Sequence, residues 1–344
     1  MSSGSHLHVE RSSDLPIVDI APLLDPASAT LAVTSVATEI DRACREIGFF
    51  GITGHGVDPT LQDELERSSH EFFALDDPVK AAIAMPRAGR AWRGWFPVGG
   101  ELTSGRPDHK EGIYFGAEHD ADHARVRAGV ALHGGNLFPA EPADLGPIVL
   151  RWLDEMQRVA EAVMRGIALG LGLPAEWFVT NLTADPTVLF RIFHYPPTSR
   201  GADAWGVAEH TDYGLLTVLA QDSLGGLQVS RRDGTWIDVA PTPGVFVCNL
   251  GDMLERLTRG HYLSTPHRVR NDTEHGRLSF PYFFDPSWEA TVPVLPIDVD
   301  EPSPHDRRAR WDGADVAAWT GSYGEYLTAK VARVFPDLFA VTAT

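Results

Sequence analysis

The clearest long-period pattern in the chain predicts a helix over residues 147–169. Val149, Leu153, Met156, Ala160, Val163 and Ile167 recur there at three- and four-residue spacing and form one apolar stripe. Shorter stripes predict helices over 31–47 (Val33, Val36, Ile40, Cys44), 58–74 (Leu61, Leu65, Phe72) and 323–335. Elsewhere the period shortens. Leu15-Pro-Ile-Val-Asp-Ile20 and the run from Phe49 read as strands. So do Leu189-Phe-Arg-Ile-Phe-His-Tyr195, Gly225-Gly-Leu-Gln-Val229, Gly234-Thr-Trp-Ile-Asp-Val239, Gly244-Val-Phe-Val-Cys-Asn-Leu-Gly251 and Arg277-Leu-Ser-Phe-Pro-Tyr-Phe-Phe284, most of them separated by glycine turns. Strands at this spacing suit a double-sheet jelly roll. The expected fold class is mainly β with flanking helices around a double-stranded β-helix core (jelly roll, cupin-like), braced by the 147–169 helix.

Residues 87–116 break the pattern. They are rich in glycine, arginine and aromatics, including Trp92, Trp95, Tyr114 and Phe115, and read as an irregular lid or binding loop. The expected organisation is a flexible tail over 1–14 and a single catalytic domain over 15–344. Within that domain, an α/β portion with the lid spans 15–145 and the bracing helix 146–180. The jelly-roll core with a metal site spans 185–290, and a linker with a last helix spans 291–344. No internal repeat divides the chain.

Three His-x-acid triplets occur, His8/Glu10, His109/Glu111 and His210/Asp212, against roughly two expected by chance. His8 stands in a polar run and His109 in the charged stretch Arg106-Pro-Asp-His-Lys-Glu111, so both read as solvated. His210 leads instead into Tyr213-Gly-Leu-Leu-Thr-Val-Leu-Ala220, a buried strand rigid enough to aim ligands. His267 follows Asp212 by about 55 residues, across strands that a jelly roll folds back on one another. Two imidazoles and one carboxylate on one face of a metal leave adjacent positions open, as an iron(II) centre needs for a chelating co-substrate and dioxygen.

Arg277, beyond His267, shares a strand face with Ser279, Pro281 and Phe283. A guanidinium with a hydroxyl two residues on makes a carboxylate clamp. In the strand at 189–195, Leu189, Arg191, Phe193 and Tyr195 share a face. Arg191 there needs an anionic partner, which is either a bound carboxylate or a distant acid. Tyr326, Lys330 and Arg333 lie near one another on the last predicted helix, where Arg333 is a candidate to reach a substrate carboxylate or to face solvent.

Together, Gly48-Phe-Phe-Gly-Ile-Thr-Gly-His-Gly56, Tyr195-Pro-Pro, His210-Thr-Asp212, His267-Arg-Val269 and Arg277-Leu-Ser279 resemble the iron(II)/2-oxoglutarate-dependent dioxygenases of the isopenicillin N synthase-like family, over about residues 15–339. The branch with thymine hydroxylase and the microbial ethylene-forming enzyme is the most similar. It shares the arginine at Arg191, the sequence ending in Tyr213-Gly214, and Tyr282-Phe283, whereas Val188 departs from thymine hydroxylase. The resemblance implies iron(II) on His210, Asp212 and His267, and 2-oxoglutarate on Arg277, Ser279 and Tyr195, with Arg191 beside them. Glu101, Thr103, Tyr213, Phe283 and Arg333 are the implied substrate contacts. It also implies dioxygen as oxidant, ascorbate as a candidate reductant, and hydroxylation of an aliphatic C–H coupled to decarboxylation of 2-oxoglutarate to succinate and CO2.

Three alternatives use the same ligands: a 2-oxoglutarate-independent iron oxidase of the isopenicillin N synthase or aminocyclopropane-carboxylate oxidase type, a zinc hydrolase, and a non-catalytic metal-stabilised jelly roll. The formal net charge of −18 disfavours nucleic-acid polymers and anionic membranes, which leaves a small-molecule substrate and a monomer or small homo-oligomer. Cys44 and Cys248, the two cysteines, read as buried free thiols. No run of about 18 apolar residues and no signal pattern at the start make the cytoplasm the expected compartment.

Overall fold

A computed structural model describes residues 9–10, 15–103, 105–198, 205–271, 274–295 and 316–335. Most of the expected tail and of the proline-rich linker therefore lies outside the described residues. Two β-sheets form the centre. In spatial order the larger sheet contains Ile17–Asp19, Phe49–Thr53, Phe246–Leu250, Leu216–Gln221, Arg277–Ser287, Pro186–Tyr195, Glu111–Gly116 and Gly94–Phe96. The smaller runs Val9–Glu10, Trp236–Val239, Leu227–Ser230, His267–Arg270 and Trp205–His210. Sequence-distant strands are neighbours in both, as in the jelly roll expected from the strand spacing.

The helices Thr30–Glu46, Pro59–Phe73 and Leu145–Gly170 pack together beside the larger sheet. Leu145–Gly170 is the brace, and its apolar face carries Val149, Trp152, Met156 and Val163, all buried. Trp152 packs near Phe190 and Phe280 of two central strands, with ring centroids 6.4 and 6.5 Å away. Truncating such a buried indole costs about 3–5 kcal/mol. Pro59–Phe73 starts where Asp58 accepts a hydrogen bond from the Thr60 amide at 2.9 Å, with proline at the first helical position. Tyr323–Val334 starts at a capping box between Ser322 and Glu325. Between the sheets, a small core of Phe49, Leu227, Val229, Ile237, Val239 and Val247 closes one end. The other end is open.

Two local expectations are corrected. Residues 87–116 contain strands Gly94–Phe96 and Glu111–Gly116 of the larger sheet. All six residues of Glu111–Gly116 are buried, so two-faced burial erased the alternation by which a strand is recognised. The charged stretch ending at Glu111 is also not a solvated face. Asp108, Lys110 and Glu111 are buried, and Glu111 is held by Lys80 at 2.8 Å, Trp95 Nε1 at 2.9 Å and His194 Nδ1 at 2.9 Å.

Candidate active site

The open end between the sheets is a cavity with about 1040 Å³ of empty space, its mouth included. His210 ends the strand Trp205–His210, rather than beginning the next one, and pairs in register with His267 at the start of His267–Arg270. Asp212 follows in the turn, where its carbonyl accepts from the Asp252 amide at 2.8 Å. Adjacent strands thus bring two imidazoles beside one carboxylate. Asp212 Oδ1 lies 3.8 Å from His210 Nε2 and 3.7 Å from His267 Nε2. The three donor atoms lie within 4.8 Å of one another.

The surroundings fix each donor. His210 Nδ1 faces the Ala208 carbonyl at 2.8 Å and His267 Nδ1 the Thr265 carbonyl at 3.1 Å, which places the proton on Nδ1 and leaves Nε2 as a lone-pair donor. Burial lowers both imidazole pKa values, so both rings are neutral at neutral pH. Burial alone would raise the Asp212 pKa. Positive charge on the neighbouring imidazoles as pH falls, and the hydrogen bonds from Thr217 and Asn249 at any pH, more than offset it and keep the carboxylate ionised. Two neutral imidazoles and a carboxylate, two of them with backbone-fixed tautomers, fit a divalent metal such as iron(II).

The same cavity holds Arg277, Ser279 and Tyr195. Tyr195 and Arg277 are cross-strand partners, and the guanidinium lies 4.6 Å from the phenol ring. The Tyr195 and Ser279 hydroxyls are 3.4 Å apart. Arg277 is 1% exposed, and its Nε and Nη1 have no hydrogen-bond partner among the described residues. Burial pulls its pKa below the usual value. Gly226, at φ +107°, leaves room beside it, since a Cβ there would overlap the Arg270 carbonyl and stand 3.3 Å from Arg277 Nη1. A buried cation with free donors and two hydroxyls beside it fits a carboxylate.

Arg191 stands on the same strand face as Tyr195, four residues away, or roughly 13 Å along the strand. Its guanidinium sits among aromatic rings, 4.1 Å from Tyr114 and 4.8 Å from Phe283, and 3.8 Å from Glu101. Glu101 is ion-paired with Lys110 at 2.8 Å and accepts a hydrogen bond from Tyr114. Lys110 also pairs with Asp108, which accepts from Thr103 at 2.6 Å. Burial would protonate Glu101, but Lys110 and Arg191 hold it ionised; burial would discharge Lys110, but the two acids hold it charged. Two buried cations thus balance two buried acids.

Of the residues singled out in the sequence, eleven line this cavity: His210, Asp212, His267, Arg277, Ser279, Tyr195, Arg191, Glu101, Thr103, Tyr213 and Phe283. Arg333 is placed differently. It is exposed, and its helix turns Leu327 and Val334 to the cavity instead. Lys110, Asp108, Thr217 and Asn249 were missed. Their one signal is a polar residue within or beside an apolar strand, a position that requires a buried partner.

Residues 186–286 match the family model of the 2OG-Fe(II) oxygenase superfamily, and residues 15–141 match that of the non-haem dioxygenase N-terminal region, described from morphine synthesis. The chain belongs to the 2OG-Fe(II) oxygenase superfamily. It is an oxidoreductase of the dioxygenase kind, with iron(II) and 2-oxoglutarate as the family's cofactor and co-substrate. An iron/ascorbate oxidoreductase of Dictyostelium discoideum is 43% identical over 94% of this chain and 95% of that one. A 1-aminocyclopropane-1-carboxylate oxidase of the same organism is 36% identical over 94% and 95%. A homoarginine-6-hydroxylase of Glycine max is 38% identical over 95% and 98%. Among solved structures, the thymine hydroxylase of Neurospora crassa with alpha-KG and thymine is similar at a TM-score of 0.75, with 25% identity over 92% of this chain and 96% of that one. Membership sets aside the zinc hydrolase and the non-catalytic jelly roll. Among the described residues, no helix is long and apolar enough to cross a membrane.

Proposed function

We propose that this dioxygenase hydroxylates an aliphatic C–H bond of a small amino acid, with conversion of 2-oxoglutarate to succinate and CO2. The observation that carries the co-substrate is Arg277, whose buried guanidinium has two nitrogens without partners among the described residues, in the cavity that His210, Asp212 and His267 also line. In this reading His210, Asp212 and His267 hold iron(II), and Arg277, Ser279 and Tyr195 hold the distal carboxylate of 2-oxoglutarate. When bound, the iron with its co-substrate supplies the activation of dioxygen for C–H oxidation. The chain's own task is to bind and orient the substrate and to keep water from the reacting carbon.

Arg191, roughly 13 Å along the strand from Tyr195, belongs to the substrate end. There it faces Glu101 at 3.8 Å, wider than a close ion pair, with Thr103, Tyr213 and Phe283 on the same cavity wall. An amino acid presents one cation and one anion, and it can pair with both residues without leaving a net buried charge. Phe283 and Leu189 supply an apolar wall for the carbon chain. The relatives named for homoarginine and for 1-aminocyclopropane-1-carboxylate both act on amino acids. The latter relative favours a second reading, a 2-oxoglutarate-independent oxidase, which would form no succinate.

The test is anaerobic visible absorbance of the protein with iron(II), first adding 2-oxoglutarate and then a panel of amino acids, including homoarginine and 1-aminocyclopropane-1-carboxylate, with nucleobases as controls. A weak charge-transfer band with 2-oxoglutarate, its shift by an amino acid, and aerobic formation of succinate with a product 16 mass units heavier are expected (~16, one oxygen atom). No band would refute the co-substrate reading. A shift by nucleobases alone would refute the amino-acid reading.

A further inference from the structure

We propose that Thr217 and Asn249 are positioning residues that leave the Asp212 carboxylate a single free oxygen and so keep open a coordination position that the co-substrate and dioxygen require. This rests on the reading of Asp212 as an iron ligand. Thr217 and Asn249 are direct cross-strand partners of the antiparallel strands Leu216–Gln221 and Phe246–Leu250. Both side chains reach the same atom. Thr217 Oγ1 donates to Asp212 Oδ2 at 2.5 Å, and Asn249 Nδ2 donates to it at 2.7 Å. The other oxygen, Oδ1, is the one that faces His210 and His267 Nε2.

The division between the two oxygens is built into the fold. Both donors are buried, and the Asp212 main chain is itself tied by the Asp252 amide, so exchanging the oxygens would require breaking two buried hydrogen bonds. Thr217 and Asn249 are polar residues flanked in their strands by the apolar Leu216, Val218, Cys248 and Leu250. The ladder between those strands is made by backbone groups, so the pairing of the strands does not call for polar side chains here. What the polar side chains do is saturate Oδ2. A carboxylate with both oxygens free can bind a metal through both. With two imidazoles, that would leave two positions open where three are needed, two for a chelating 2-oxo acid and one for dioxygen.

The near-isosteric variants Thr217→Val and Asn249→Leu test the idea, with anaerobic Mn(II) and Fe(II) titrations of the full chain. Each should weaken 2-oxoglutarate binding to the metal-saturated protein by about 10- to 100-fold without weakening uptake of the metal itself, since the freed oxygen adds a metal contact, while Thr217→Ser restores 2-oxoglutarate binding. A merely structural role would lower the melting temperature without changing the affinities of the folded protein. Folded variants whose 2-oxoglutarate affinity stays within about twofold of wild type, a spread smaller than any second-sphere effect of this kind, would overturn the proposal. If the variants do not fold, the infrared spectrum of wild-type protein with ¹³C-labelled aspartate decides. On adding Mn(II), widely separated carboxylate stretches are expected for one-oxygen binding, and closely spaced stretches would overturn it. Wild-type protein that takes up neither metal would refute the metal assignment along with the proposal, whereas normal uptake with unaffected variants would refute the proposal alone.

Discussion

Replacing Arg277 with methionine should shift stability and co-substrate affinity in opposite directions. Arg277 is 1% exposed, has two guanidinium nitrogens without partners among the described residues, and has a pKa pulled down by burial. Without 2-oxoglutarate it is a buried cation only partly compensated by Asp222 and the Tyr195 phenol. Exchanging such a charge for an apolar side chain of similar length stabilises by about 1–4 kcal/mol, and the nearby Asp222 favours the lower part of that range. At about 2.1 cal/mol/K of unfolding entropy per residue, the ligand-free variant should therefore melt roughly 1–3 °C higher. With 2-oxoglutarate the sign reverses. Loss of one partner of a buried charge pair costs about 2–5 kcal/mol, or roughly 30- to 5,000-fold in affinity. Differential scanning fluorimetry of the metal-free protein and anaerobic 2-oxoglutarate titration of the iron(II) form measure the two terms separately. A variant that melts below wild type and binds 2-oxoglutarate within threefold of it, less than about 0.7 kcal/mol, would refute the reasoning.

Three further outcomes follow from the buried polar groups. Lys110→Met strands the Glu101 and Asp108 carboxylates beside each other and should cost about 3–5 kcal/mol in urea unfolding; a loss below about 1 kcal/mol would show that the acids are relieved by other means. Gly214→Ala places a methyl on the Asp285 carboxylate and should cost about 1–3 kcal/mol by overpacking, read as a lower melting temperature; an unchanged melt would contradict the close approach. His119, stacked between His123 at 4.2 Å and His133 at 5.3 Å, has a pKa lowered to about 4, first by burial and then by those neighbours. The unfolded chain then binds more protons, so the stability is present above about pH 6.5 and is lost as pH falls towards 4. His119→Gln should flatten the stability profile across that window, and an equal slope in variant and wild type would exclude the stack as its source.

The residues proposed as ligands were legible because each sits in a short, recognisable segment: an acid two residues from His210, His267 at a strand start, Arg277 and Ser279 on one strand face. The alternation rule correctly grouped Leu189, Arg191, Phe193 and Tyr195, all of which reach the cavity. It failed where both faces are buried, as at Glu111–Gly116, since period is visible only when one face meets water. The partner of Arg191 was not legible either. No acid lies on its own strand, and Glu101 arrives from a hairpin, Leu102–Thr103 against Arg106–Pro107, whose closure joins charges that local sequence shows as a hydrophilic run. Arg333 stayed open between substrate and solvent in the sequence, because helical spacing groups residues without saying which group turns inward; its side chain is exposed.

The strands Pro186–Tyr195 and Arg277–Ser287 run antiparallel along the cavity, and each carries residues of both its ends. Tyr195, Arg277 and Ser279 stand at one end, Leu189, Arg191 and Phe283 at the other. A mutation at the second end alters a side chain several residues from the first without shifting the register that aligns them. Such a scaffold can diverge towards new substrates by point exchange at one end while the proposed co-substrate clamp at the other is inherited intact.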